Sequence, residues 1–169
     1  MNMRAKIEPN AVYKAIDSPV GRLVLLASEL GLHAVNWVDE STVRMEGFRP
    51  DPDYPLLVET QKQLDQYFAG QRKIFELPLA PRGTPFQLQI WKLMLNIPFG
   101  QTATYGELAA LAGDTNASRA VGMANNRNPI AIIIPCHRVI GRSGALTGFG
   151  GGLLNKSILL DLESQFRLF

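Results

Sequence analysis

The residue types with the clearest chemical potential lie in the segment Pro135-Cys136-His137-Arg138-Val139, because Cys136 is the only cysteine of the chain. A thiol is a strong nucleophile only as its thiolate, which needs a nearby base or positive charge, and a histidine follows directly. Buried packing is the competing interpretation, since Cys136 follows an apolar run at 129–134 and free cysteine is among the most buried residue types. Adjacency to His137 does not decide between them, because neighbours on an extended chain point to opposite sides.

Composition limits the classes of protein that these residues can belong to. The chain has 169 residues, of which 46% are hydrophobic and 19% charged, as in a globular protein with a substantial core. A single cysteine excludes an internal disulfide, and two distant histidines, His33 and His137, exclude a Cys/His zinc site of standard spacing. We find no signal peptide and no apolar run of membrane-spanning length, so we expect a cytoplasmic protein without a membrane partner.

The charge distribution is more informative than the net charge of +2. Residues 115–160 contain five basic side chains and no Asp or Glu; the basic residues are Arg119, Arg127, Arg138, Arg142 and Lys156. A stretch of one sign suits a polyanion such as nucleic acid. A solvated surface with chance spacing remains the alternative at this point.

The first part of the chain predicts a small, β-rich domain. Strands are expected at 13–16, 22–27 and 32–38, a loop at 39–55, and a helix at 56–68 that Gly70 ends. His33 lies within the third strand without a cysteine or acidic partner nearby, which favours a structural or surface role. Pro78, Pro81 and Gly83 predict a linker, so we divide the chain into domains at 1–80 and 81–169.

The second domain is predicted to be mainly helical. Two capping boxes, at 84–87 and 104–107, each mark a helix start, and the first helix is apolar over most of its circumference, which predicts that Trp91 is a core residue. Thr115 or Asn116 is expected to cap a third helix at 117–125. Two short helices joined by a glycine turn fit a helix-turn-helix, although helical hairpins that bind no DNA share the pattern. A glycine-rich segment, 141–152, precedes a final helix at 153–163.

Together these motifs resemble the O6-alkylguanine-DNA alkyltransferases (methylated-DNA–protein-cysteine methyltransferases) over nearly the whole chain. The most specific part is the segment 135–141, which resembles the active-site signature of the family. The supporting motifs occur in the family's order at 84–91, 97–100, 104–109, 118–122, 128–129 and 147–152, with Lys156 and Glu163 after them. The fold that this implies is α+β, with a small N-terminal ribonuclease-H-like α/β domain followed by a mainly helical C-terminal domain with a helix-turn-helix.

The resemblance also implies a reaction and its catalytic residues. An alkylated guanine cannot be reached inside a duplex and is flipped into a pocket, where Cys136 would attack the alkyl carbon. His137 matches the histidine that takes the thiol proton through a water, and Glu163 matches the carboxylate that orients and charges this histidine. Tyr105 matches the tyrosine that helps rotate the nucleotide and protonates guanine N3. The transfer would be irreversible, would use no cofactor and no metal, and would extend to O4-alkylthymine.

Further residues are implied in DNA binding and in the pocket. Arg119 matches the arginine that fills the vacated place in the base stack, and the other expected DNA contacts are Thr104, Ser118, Ala120, Asn125 and Arg127. Asn128 matches the hinge of the family, and Val139, Phe149, Gly150 and Lys156 are expected at the pocket. Phe149 stands where many members have tyrosine, and Gly150 where a serine is common, which puts the range of alkyl groups in question. For Arg138 a structural or phosphate-pairing role is favoured over chemistry.

The partner implied is double-stranded DNA that carries O6-alkylguanine, bound by a monomer without an obligate protein partner. Two alternatives stay open. One is a helix-turn-helix module in which Cys136 is inert packing, which alkylation of Cys136 would exclude. The other is a cysteine acyltransferase or hydrolase that uses Cys136 and His137, which would leave the basic stretch without a role.

Overall fold

The computed structural model describes residues 8–167 and divides into two compact units, with the boundary between Arg82 and Gly83. The mixed α+β architecture expected from the sequence is confirmed. Unit 1 holds the sheet and unit 2 is mainly helical. None of the helices in the described part of the chain is both long and apolar enough to span a bilayer.

Unit 1 is a four-stranded sheet in the order β3-β2-β1-β4 with two helices. Its elements are β1 (Val12–Ile16), β2 (Leu23–Ser28), β3 (Gly31–Asn36), α1 (Glu40–Met45), β4 (Arg49–Pro50) and α2 (Pro55–Phe68). Strands β1 to β3 are antiparallel neighbours, and β4 pairs parallel with β1. His33 has the structural role: it is buried, with Nε2 2.7 Å from Ser28 Oγ and Nδ1 2.9 Å from the carbonyl oxygen of Ala80.

The expectation of a continuous loop at 39–55 was wrong, because this segment contains α1 and β4. Asp39 starts the helix by accepting a hydrogen bond from the backbone N–H of Ser41 at 2.7 Å. Pro50 fits β4 because an edge strand tolerates a residue without a backbone donor. The surrounding prolines and charges conceal both elements in the sequence.

Unit 2 places its helices around the cysteine segment. Its elements are α3 (Pro85–Met94), β5 (Ala103–Thr104), α4 (Tyr105–Leu111), α5 (Ser118–Asn126), a 3-10 turn (Cys136–Arg138), β6 (Val139–Ile140) and α6 (Leu153–Phe166). Both predicted capping boxes are present, at Thr84 and at Thr104. Trp91 is a core residue, as predicted, and its Nε1 donates to the carbonyl oxygen of Ala124 on α5 at 2.8 Å.

The predicted cap of α5 was wrong. The N-cap is Ala117, not Thr115 or Asn116, and it makes no side-chain hydrogen bond. Asp114 instead accepts from the backbone N–H of Asn116 at 2.9 Å, which closes a turn before the helix begins. Helices α4 and α5 pack against each other as the helix-turn-helix.

Candidate active site

The backbone before Cys136 is held in two tight turns. The N–H of Ile133 donates to the carbonyl of Ala131 at 2.9 Å around Ile132, whose φ is +73°. Positive φ at a β-branched residue costs about 1–3 kcal/mol and persists only where the surroundings impose it. The N–H of Cys136 then donates to the carbonyl of Ile134 at 2.8 Å around Pro135. The cysteine therefore follows a compact, strained loop, not an extended strand.

The Asn128 side chain hydrogen-bonds to both ends of the loop that precedes Cys136. Its Oδ1 accepts from the N–H of Ile130 at 3.0 Å, and its Nδ2 donates to the carbonyl of Ile134 at 2.8 Å. Asn128 also contributes a side-chain hydrogen bond that lowers the pKa of Cys136. The residue expected to be a hinge thus connects the end of α5 directly to the cysteine.

Cys136 is a buried, protonated thiol. Burial raises its pKa to about 11, and the opposing effects of the Asn128 hydrogen bond and the Lys156 charge do not compensate. The thiol is therefore not a thiolate at neutral pH, and a nucleophilic role would require a base to remove its proton.

The ring of His137 is oriented by a buried carboxylate. Its Nε2 lies 2.7 Å from Oε1 of Glu163, and both side chains are almost completely buried. Burial would raise the pKa of Glu163, but the hydrogen bonds from His137 and Arg138 and the charge of Arg138 lower it, so the carboxylate only accepts. Nε2 therefore carries a hydrogen, and the lone pair of the neutral ring is at Nδ1. Nδ1 is buried and has no partner among the described residues.

Arg138 shares the carboxylate with His137. Its Nε donates to Oε2 of Glu163 and its Nη2 to Oε1, each at 2.9 Å, and its Nη1 donates to the carbonyl of Ile97 at 2.6 Å. Glu163 favours the charged form of His137 through its hydrogen bond and its charge, and the expectation that it charges the ring stays a prediction. Burial lowers the pKa of His137, and the hydrogen bond and charge of Glu163 do not outweigh it.

Lys156 joins two backbone segments beside the cysteine. It is fully buried, and its Nζ donates to the carbonyl of Val139 at 2.5 Å and to that of Thr147 at 2.8 Å. The same Thr147 carbonyl accepts from the Tyr105 hydroxyl at 2.9 Å. Desolvation lowers the pKa of Lys156. Because β6 pairs with β5 directly before α4, the start of the helix-turn-helix is also fixed to this network.

The helix-turn-helix borders a cavity of about 320 Å³. It is lined by Tyr105, by one side of α5 (Ser118, Arg119, Gly122 and Asn126), and by Thr147 and Gly148. Arg119, Ala120 and Arg127 are exposed, while Ser118 and Thr104 are half-buried. The arrangement brings a tyrosine, an arginine and a small-residue helix face to one opening.

Asn125 does not occupy the position expected for a DNA contact. It is only 2% exposed, and its Nδ2 donates to the carbonyl of Gly148 at 3.1 Å. The expectation was wrong because the 147–152 loop, distant in sequence, covers this side of α5. Asn125 therefore holds the loop against α5. Phe149 is buried in that loop, and Gly150 is exposed.

Sequence reasoning did not assign four residues of the cavity to the site: Gly122, Asn126, Thr147 and Gly148. Gly148 has φ +52°, and a Cβ there would lie 3.1 Å from Oδ1 of Asn126, so the glycine is required by conformation and by space. The dense glycine run in the sequence indicates positive φ somewhere in this segment, but it does not show that Gly148 is the residue involved.

Comparison with known proteins gives consistent matches. The family model of the 6-O-methylguanine DNA methyltransferase ribonuclease-like domain matches residues 11–81, and that of the DNA binding domain matches residues 85–165. A methylated-DNA–protein-cysteine methyltransferase of Methanosarcina acetivorans is 48% identical over 161 residues, covering 90% of this chain and 98% of that protein. The constitutive one of Bacillus subtilis is 42% identical over 158 residues, covering 89% and 94%.

Solved structures agree with these matches. The O6-methylguanine methyltransferase of Mycobacterium tuberculosis superimposes with a TM-score of 0.83 at 45% identity, covering 92% of this chain and 93% of that one. The same protein in complex with DNA gives a TM-score of 0.83 at 46% identity, covering 91% and 93%.

Proposed function

Because this chain belongs to the 6-O-methylguanine DNA methyltransferase family, we propose that each molecule removes one alkyl group from guanine O6 in double-stranded DNA. The acceptor is Cys136, and O4-alkylthymine is a second substrate. The observation that carries the assignment is the buried His137–Glu163 pair directly beside the only cysteine, with an unpartnered ring nitrogen at Nδ1.

The proposed reaction is an in-line displacement at the alkyl carbon. The S–H proton of Cys136 passes to His137 Nδ1 through a water, the S–C bond forms, and the bond from carbon to O6 breaks with its electron pair going to guanine. Tyr105 protonates guanine N3, and the proton on His137 is later returned to the tyrosinate. The products are a thioether and neutral guanine, so the thiol hydrogen is balanced by the hydrogen gained by the base.

The helix-turn-helix supports the proposed DNA partner. Arg119 is exposed at the cavity mouth, where it can enter the place that a flipped nucleotide leaves, and Tyr105 lines the same opening. The half-buried Ser118 and Thr104 and the exposed Ala120 and Arg127 would contact the backbone around it. Since all of these residues lie in unit 2 of one chain, the proposal requires only a monomer.

Intact-mass and peptide mass spectrometry test this function. The protein is mixed with a duplex that carries one O6-methylguanine, and we expect one methyl group per molecule, located on Cys136, with no turnover. Cys136→Ser should retain DNA binding and accept no methyl group, because a hydroxyl is far less acidic than a thiol. Methylation of the serine variant, or repeated turnover by the unchanged protein, would contradict the assignment.

A further inference from the structure

Glu163 is the shared partner of two cationic or potentially cationic side chains. Oε1 contacts His137 Nε2 at 2.7 Å and Arg138 Nη2 at 2.9 Å, while Oε2 contacts Arg138 Nε at 2.9 Å and the N–H of Gly100 at 3.1 Å. A carboxylate paired with histidine alone would favour the charged imidazolium. Here the permanent guanidinium of Arg138, with two of its nitrogens on the carboxylate, already balances the negative charge of Glu163.

The proposed reaction requires an uncharged His137. A base must present a lone pair, and the proposed proton acceptor is Nδ1, which is buried without a partner among the residues that the structure describes. If the ring were protonated at rest, Nδ1 would carry a hydrogen and no lone pair, and the base would be lost.

We propose that Arg138 is a positioning residue for the proposed proton transfer: by sharing Glu163, it keeps His137 uncharged at rest, with its lone pair at Nδ1. This inference rests on the proposed function. It assigns the signature arginine a role in preparing the base, without contact to DNA or to the reacting atoms.

Of the other charged groups around His137, Lys156 acts in the same direction as Arg138, and Glu163 opposes both. Helix α6 contributes Glu163 and Lys156, whose positive charge also disfavours the imidazolium, and the 3-10 turn contributes Cys136 and Arg138. Helix α3 packs against the turn, and its one charged residue, Lys92, is exposed. Burial is the largest cause of the lowered pKa of His137, and the Arg138 charge lowers it further.

The position of Arg138 is itself fixed, which the role requires. Its third nitrogen, Nη1, donates to the Ile97 carbonyl at 2.6 Å, and its guanidinium carbon lies 5.8 Å from the centre of the Phe99 ring. The guanidinium therefore has three neighbours that fix its position: the Glu163 carboxylate, the Ile97 carbonyl and the Phe99 ring. A lysine at this position would contact the carboxylate as a point charge only.

The direct test is the titration of His137 by NMR of the imidazole nitrogens. The chain contains two histidines, so His137→Gln assigns both signals. We expect Arg138→Gln to raise the titration midpoint of His137 by about one to three pH units, the range that one nearby charge produces. Arg138→Gln combined with Glu163→Gln should bring the midpoint back down, because both charges are absent. An unchanged midpoint in Arg138→Gln overturns the proposal.

A second variant covers the case in which Arg138→Gln does not fold. Arg138→Lys retains the charge but makes one contact where arginine makes two, so we expect a smaller upward shift of the midpoint. A midpoint equal to that of the unchanged protein would then contradict the proposal.

The kinetic test distinguishes an effect of Arg138 on the protonation of His137 from a purely structural role of Arg138. Methyl transfer from an O6-methylguanine duplex is followed under single-turnover conditions at saturating DNA and constant ionic strength. In Arg138→Gln the acid limb should move to higher pH by the same amount, with the plateau rate within a few-fold of the original. A lower plateau with an unmoved limb indicates a structural role and refutes the proposal. If the unchanged protein transfers no methyl group at any pH, the proposed function fails, while the NMR titration is independent of it.

Discussion

Replacing Lys156 with methionine should slow methyl transfer far more than it destabilises the fold. The ammonium is buried and donates to the carbonyls of Val139 and Thr147, so it connects β6 to the loop at 147–152. Methionine has similar length and retains the packing of the side chain, but it donates no hydrogen bond.

The expected losses of rate and of stability differ in size because the carbonyls of Val139 and Thr147 differ in their other hydrogen-bond partners. The Thr147 carbonyl retains the hydrogen bond from Tyr105, whereas the Val139 carbonyl loses its bond to the ammonium, at a cost of about 1–3 kcal/mol. Desolvation of the ammonium, which already lowers the pKa of Lys156, is no longer required and offsets part of this cost. The charge-assisted bond to Thr147 is worth about 1.5–3 kcal/mol, and its loss lowers the equilibrium constant for ordering the loop about 10- to 100-fold.

The assay is the single-turnover rate of methyl transfer from an O6-methylguanine duplex, alongside a thermal melt of each protein. Lys62→Met, at an exposed site on α2 in the other unit, is the control and should match the unchanged protein in both measurements. Transfer by Lys156→Met at the original rate would show that the ammonium does not hold the loop. A large fall in melting temperature with a proportional loss of rate would refute the separation of the two effects.

Three further predictions concern the helix-turn-helix, the loop and the buried carboxylate. Arg119→Ala should slow repair of duplex DNA far more than the reaction with free O6-benzylguanine, which needs no flipping. Equal losses in the two rates would refute this prediction. Arg127→Ala is the control and should affect only DNA affinity. Gly148→Ala should lower the free energy of unfolding by about 1–2 kcal/mol because φ is +52° and the new Cβ lies 3.1 Å from an amide oxygen, whereas Gly150→Ala, measured by the same denaturant titration, should be close to neutral. The depressed pKa of Glu163, about 2 in the folded protein, should contribute about 3 kcal/mol of stability above pH ~4.3 that is lost as pH falls toward 2; urea titrations of Glu163→Gln should lack this contribution.

Local signals in the sequence were sufficient where a few adjacent residues determine the structure. The capping boxes at Thr84 and Thr104 define two helix starts, because both hydrogen bonds of each box form within four residues. The cap of α5 was misplaced because Thr115 and Asn116 are both residue types that can cap, but they lie in the turn closed by Asp114, and the helix begins only after Ala117.

Contacts between distant segments could not be predicted from these signals. Arg138 and Glu163 are 25 residues apart, and only the packing of α6 on the 3-10 turn shows that Arg138 and His137 both bind the Glu163 carboxylate. Asn125 was assigned to the wrong surface for the same reason, since the loop that covers it lies 23 residues further along the chain. The family resemblance predicted the reacting residues, and the folded structure shows the contacts and charges around them.

The raised pKa of Cys136 also determines how long an unreacted molecule stays usable. Peroxides and disulfides are attacked by thiolates, so a buried thiol with a pKa of about 11 is a poor target for both at neutral pH. This matters for a protein whose only thiol is consumed in a single reaction and cannot be regenerated. Burial disfavours the thiolate, and the unreacted protein is thereby protected from oxidative loss.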